Sequence, residues 1–304
     1  VAIKTKTGSL LNAATKKEVQ DLLRKYAMAS IDPVIVDPDY MFIFNKIFIN
    51  YDTGCGSTAA EIKTNINTAI SEWAGQTQIN NFNSTFRSNS FEKAITLANK
   101  CISDVSLQTT LLKYIDPSTN QTNTYCVSTG SGIYNSSPSK DGSDGSDTCK
   151  KEPVILSGTF RTFDRPGVDQ QFEDDGYGNL RMFYNTGNKK VYTDENAGTV
   201  DYDTGKICFG PANIIGAGDN ITDPTNVAVT NATTGTGTII DLSLLPTDLT
   251  IPIIFIPANN ATIPSTTPGT IINIVTPDIT VSPIGVTPPP TIPLNSLTPT
   301  VFNQ

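Results

Sequence analysis

Val34-Ile-Val-Asp-Pro-Asp-Tyr-Met-Phe-Ile-Phe-Asn-Lys-Ile-Phe-Ile-Asn-Tyr51 is the stretch on which the fold turns. β-Branched and aromatic residues fill it, with one interruption at Asp37-Pro38. Phe42, Phe44, Ile47, Ile49 and Tyr51 put apolar side chains on both faces of a long extended segment. A strand that is apolar on both sides needs partners on both sides, so it is expected to be central in its sheet.

Helical patterns lie on either side of it. Thr15 and Glu18 have the spacing of a capping box, and Val19, Leu22, Leu23, Tyr26 and Ala27 recur at helical intervals. An amphipathic helix is therefore predicted over 16–28, with Lys16, Lys17, Arg24 and Lys25 outward and Pro33 closing the segment. Ser57 or Thr58 caps a second helix carrying Ile62, Ile66, Ala69, Ile70 and Trp73 on one face, stopped by Gly75. A third helix is predicted from Ser90 to Lys100, followed by an extended Val105–Ile115 that ends at Asp116-Pro117. Residues 1–117 thus read as a two-layer α-β-α-α-β module with the helices as its covering layer, which makes the fold class α+β.

The composition then changes twice. Residues 118–150 are Ser, Thr, Asn, Gly and Asp, expected as a flexible polar loop or insertion. Within it Asp141, Asp144 and Asp147 are spaced by three, unlike a calcium loop, and no Glu follows at the twelfth position. Residues 151–215 are expected to form a small, mostly antiparallel β domain, with strands at Val154–Phe163, Asn179–Tyr184 and Lys190–Tyr192. Its clearest feature is a hairpin, Gly198–Tyr202 and Lys206–Phe209 joined through Asp203-Thr-Gly205.

Residues 216–304 are expected as an extended Pro/Thr/Ile-rich arm. Fourteen of the twenty prolines lie at or beyond Pro211, and no Lys or Arg follows Lys206. Proline at this density forbids helix and leaves edge strands or polyproline-like extension. The apolar burst Leu249–Pro257 makes Ile251, Ile253, Ile254, Phe255 and Ile256 the candidate partner-contact residues, ordered by lying along another surface. A floppy tail in isolation is the alternative.

Composition narrows the function. A net charge of −8 disfavours nucleic-acid binding, and there is no histidine to serve as general base or metal ligand. Five widely spaced cysteines without a C-x-x-C pair read as reduced thiols of a cytosolic protein; a Cys126–Cys149 loop closure is the alternative. No apolar run approaches the roughly 20 residues that span a bilayer. Asp37/Asp39 and Asp174/Asp175 are paired acids of the kind a glycosidase uses, but a strand-start proline and an Asp-Gly turn account for both. No cofactor, metal or catalytic set is expected, and the protein is read as no enzyme.

A family resemblance rests on the order of these elements. Lys25-Tyr-Ala-Met-Ala-Ser30 runs into Val36-Asp-Pro-Asp-Tyr40, then come a helix, Phe82, Phe86-Arg87, a further helix and finally Gly198-Thr-Val-Asp-Tyr-Asp-Thr-Gly-Lys206. Over residues 13–210 this resembles the C-terminal half of the baseplate wedge protein of T4-like contractile-tailed phages, a member of the baseplate J-like group. The resemblance implies a structural virion protein, assembled in the host cytoplasm. Paired copies embrace another wedge protein and join neighbouring wedges into a ring around the hub. The expected partners are copies of the chain itself and other baseplate wedge proteins, with no nucleic acid and no membrane. The arm after Gly216 departs from the family pattern. A carbohydrate-binding or adhesive virion module is the alternative, favoured if Tyr177, Phe183, Tyr184, Tyr192 and Tyr202 form an exposed cluster.

Overall fold

The computed structural model describes residues 1–4, 11–28, 31–118, 121–135, 139–140, 149–187, 189–217, 250–259, 261–264 and 269–284, with residues 139–140 and 149–150 described by backbone alone. The elements begin α1 (Ala13–Tyr26), β1 (Asp39–Tyr51), α2 (Ala59–Thr77), β2 (Thr85–Arg87), α3 (Ser88–Ala98), β3 (Ile102–Ile115) and β4 (Thr122–Ser128). Short strands β5 (Ser139–Lys140), β6 (Cys149–Lys150), β7 (Ile155–Ser157) and β8 (Phe160–Thr162) precede the long β9 (Arg165–Asp174), β10 (Asn179–Thr186), β11 (Lys189–Asp201) and β12 (Lys206–Ala217). The chain closes with β13 (Ile251–Phe255), β14 (Thr262–Pro264), β15 (Thr270–Ile274) and β16 (Asp278–Pro283).

β1 is paired along both edges, but it stands second from the end of its sheet and not at the centre expected of it. β3 pairs with it antiparallel, Ile43 opposite Leu111 and Ile47 opposite Leu107. Along the other edge run two parallel strands in succession, β15 (Met41 opposite Ile272) and β16 (Ile49 opposite Val281). Alternation along β1 sends Met41, Ile43, Ile47 and Ile49 into one core with Ile62, Ile66, Ile70 and Trp73 of α2 and Phe91 and Ile95 of α3. Trp73, Phe86 and Phe91 meet edge-to-face or tilted at 5.1–5.9 Å in that layer. Thr58 and Glu61 form the capping box of α2, and Thr77 anchors its last turn by donating to the Trp73 carbonyl, so the helix runs past Gly75.

Downstream, five strands close on themselves. β8 pairs with β9, β9 with β10, β10 with β11, β11 with β12, and β12 returns to β8. The closed antiparallel barrel is filled by Phe160, Phe172, Leu180, Ile207, Phe209 and Ile214, with Phe172 and Phe209 stacked at 4.6 Å. The hairpin at Asp203-Thr-Gly205 forms, Asp201 opposite Lys206. Gly205 is obligatory there: its φ is +70°, and a Cβ would meet the Ser131 carbonyl at 2.0 Å. β7 and β13 bridge the two regions, because β7 pairs with β9 and β13 pairs with both β7 and β3. One twelve-stranded sheet therefore runs from the barrel to β1.

Four expectations are corrected. The fold is mostly β, with about half of the described residues in strands and about a fifth in helices, and an α-β-α-α-β module does not come first as a unit. The reason is that the sheet around β1 is completed by β13, β15 and β16, which the composition of 216–304 disguises as an arm. Ile251, Ile253 and Phe255 are fully buried in the chain's own core, so β13 does not wait for a partner surface. The polar segment 118–150 contains β4, an edge strand on β12, held because Tyr125 and Val127 pack against the main core. The acidic stretch Asp141–Asp147 lies outside the described residues.

The cysteines are the fourth correction. Cys55 is joined to Cys101 and Cys126 to Cys208. Cys126 and Cys208 stand directly opposite each other on β4 and β12, their Cα atoms 4.1 Å apart. Eighty-two positions of separation conceal that juxtaposition from a reading of spacing alone. The pair is on the surface at Cys126, whereas Cys101 is buried in the main core.

Candidate interaction surfaces

The acids named in the sequence separate in space. On β9, Glu173 and Asp174 point to opposite faces because successive strand residues alternate. Asp174 is fully buried and acts as a peg: one oxygen accepts from the backbone N–H groups of Val154 and Ile155, the other from the Tyr202 hydroxyl. Burial raises its pKa, and these hydrogen bonds only partly offset that. Asp175 caps the turn behind it, accepting from the backbone N–H groups of Tyr177 and Asn179 and from the Asn179 side chain. Burial opposes its charged form, yet the Asn179 and Tyr177 hydrogen bonds outweigh this and lower its pKa. Asp37 pairs with Lys16, and Asp39 with Lys113 and Thr270. Neither pair presents two free carboxyls to a common space, so neither can divide general acid and base roles.

On the outer face of the barrel, Glu173 gathers what the sequence scattered. It accepts from Arg181 (3.1 Å), Lys190 (2.5 Å) and Tyr192 (2.7 Å), drawn from β10 and β11. Burial, then the hydrogen bond to Glu173, pushes the Tyr192 hydroxyl up to about 12 and keeps it a donor. Arg181 lies over the Tyr192 ring at 4.6 Å, Lys190 over Phe183 at 4.5 Å, and Lys151 over Tyr177 at 5.0 Å. Phe183 is buried against Leu156, Ile254 and Ile256, and Tyr202 holds Asp174. The five aromatics therefore form no single open platform: Phe183 serves packing, Tyr202 the peg, Tyr184 is half-buried, and cations cover one ring face of Tyr177 and of Tyr192.

Exposed apolar residues concentrate around α1 among the described residues. α1 starts after Asn12, whose side chain accepts from the Thr15 N–H, because Asn is at least as good a cap as Thr. None of its residues is buried. The covering role expected of this helix is corrected accordingly: Val19, Leu23 and Ala27 are half-buried, but Leu22 and Tyr26 are exposed at 52% and 83%. Met28, Ile31, Val34 and Val36 continue the exposed apolar run, and Val1 joins it where its carbonyl accepts from the Val36 N–H. These seven are half of the large apolar residues that the described chain exposes. Reading the apolar positions of 19–27 as inward-facing hid the surface; the signal was that the apolar run continues past the helix end, where no further helical face explains it.

Among the described residues no three His, Cys, Asp or Glu side chains come together as a metal-binding group, and no helix is long and apolar enough to cross a membrane. No family model matches the chain, and no curated protein matches it.

Proposed function

We propose that the chain is a structural subunit of a multi-protein particle and acts through surface contacts, the particle being the virion tail baseplate implied by the sequence resemblance. In that reading it builds the wedge ring around the hub with its own copies and other wedge proteins. The observation that carries the assembly reading is the exposed set Val1, Leu22, Tyr26, Met28, Ile31, Val34 and Val36, since apolar residues exposed in this number mark a contact waiting to be covered. The committed carboxylates argue in the same direction, because every acid in the candidate pairs is already engaged by this chain's own donors. Two disulfides suit a particle that works outside a reducing cytoplasm, with bond closure following assembly.

The adhesive alternative needs ring faces open to sugar, and those of Tyr177 and Tyr192 are each covered on one side by a cation. Light scattering of the purified full chain across a concentration range, run beside a glycan array, separates the readings. Concentration-dependent association without glycan retention supports assembly. A monomer at every concentration that binds glycans overturns it.

A further inference from the structure

We propose that α1 of one copy docks in the groove between α2 and α3 of the next copy. This deepens the assembly reading and rests on it. The groove measures about 480 Å³, within the ~300–1,000 Å³ of ordinary ligand clefts. Trp73 forms its floor, and Ala69, Ala94 and Ala98 are small enough to let a helix come close. Leu97, 74% exposed, stands on the rim without apolar cover.

α1 has the matching pattern. Val19, Leu22, Leu23 and Tyr26 stand at i, i+3, i+4 and i+7, the anchor spacing of a helix laid in a groove. Its own chain half-covers Val19 and Leu23 and leaves Leu22 and Tyr26 outward. Charge selects the occupant. α1 carries Lys16, Lys17, Arg24 and Lys25 against Glu18 and Asp21, in a chain of net charge −8. Lys16 and Arg24 are paired within the chain, whereas Lys17 and Lys25 have no ion pair among the described residues. The groove wall offers Glu72, which also has no ion pair among the described residues. Helix into groove is a heterologous contact, so repetition closes a ring or extends a filament.

The test uses the full chain with two surface variants, Leu22→Asp/Tyr26→Asp in the helix and Thr68→Arg/Leu97→Asp at the groove. All four positions are exposed, and circular dichroism checks that both variants fold. Light scattering reads association, and emission from Trp73, the single tryptophan, reads the groove itself. The wild-type chain should associate with rising concentration while Trp73 emission shifts. Each variant should lose roughly tenfold or more in self-affinity per anchor removed. A one-to-one mixture should recover pairing and stop at two chains, because one working helix and one working groove remain.

Three results overturn the inference while leaving assembly standing. They are wild-type association by the helix variant, wild-type association by the groove variant, and a mixture that fails to pair. A wild-type chain that is monomeric throughout removes the assembly reading as well. So does a monomer that floats with phosphatidylglycerol vesicles through Leu22 and Tyr26, since the occupant is then lipid.

Discussion

The barrel and the β1 sheet share one hydrogen-bonded sheet but are built in opposite ways. Every neighbour in the barrel except the closing β12–β8 pair is also a neighbour in sequence, joined by short hairpins. β1 takes its partners from far away, with Asp39 opposite Thr270 and Ile49 opposite Val281. Loop closure makes such pairings entropically costly and slow. The reward is that both faces of an apolar strand are used. The comparison teaches that late strands complete an early sheet: β13, β15 and β16 are structural because β3 and β1 cannot tolerate open edges.

The harshest way to break this asymmetry is to delete residues 218–304. Ile251, Ile253, Phe255, Ile271, Ile272 and Ile274 are all essentially buried, and losing them forfeits about 1.5–3 kcal/mol each. That total matches or exceeds the roughly 5–15 kcal/mol by which a typical domain is stable. Hydrogen exchange should show β1 and β3 amides unprotected while β9–β12 retain protection. Protection of β1 at wild-type levels would mean that the C-terminal strands are dispensable.

Each region carries one disulfide, and the two should differ in accessibility. Brief treatment with a mild reductant followed by alkylation and mass spectrometry should label Cys126 and Cys208 well before Cys55 and Cys101, because Cys126 is exposed and Cys101 is buried. Replacing Cys126 and Cys208 by Ser should cost about 4 kcal/mol by the loop-closure model, read as a fall in the denaturation midpoint. Simultaneous labelling of all four would erase the distinction.

A smaller effect, confined to the barrel side, comes from the Asp174 peg. Asp174→Ala strands two backbone N–H groups and the Tyr202 hydroxyl, at about 2–4 kcal/mol. Asp174→Asn keeps an acceptor and sheds the buried charge, so it should stay within about 1 kcal/mol of wild type at neutral pH. The pH dependence has a definite sign. The folded pKa lies above 3.8, so between the two values the native state holds more protons than the unfolded state. This group's contribution therefore weakens as pH rises from 3.8 through the folded pKa, and Asp174→Asn should flatten that fall in urea titrations. The slightest change is Tyr177→Ala, which loses the Lys151 contact and should cost ~0.5–1 kcal/mol without altering glycan retention.

Some of this architecture is written locally. β1 announces itself through continuous β-branched and aromatic residues; α2 through Thr58, Glu61 and the Ile62-Ile66-Ile70-Trp73 stripe; the β11–β12 hairpin through Gly205. Each depends on interactions within about a dozen residues, which periodicity, capping and turn chemistry report directly. Tertiary structure alone decided the rest. Proline-rich bursts became buried strands because β1 and β3 offered edges to them, and Pro252 is accommodated within β13. The cysteines paired because β4 came to lie on β12 and because the turn after α3 met the loop after β1. Helical periodicity in α1 marked an apolar face but could not say whether this chain would cover it. A side chain's spacing is a property of its own segment, whereas its burial belongs to whatever the rest of the chain brings against it.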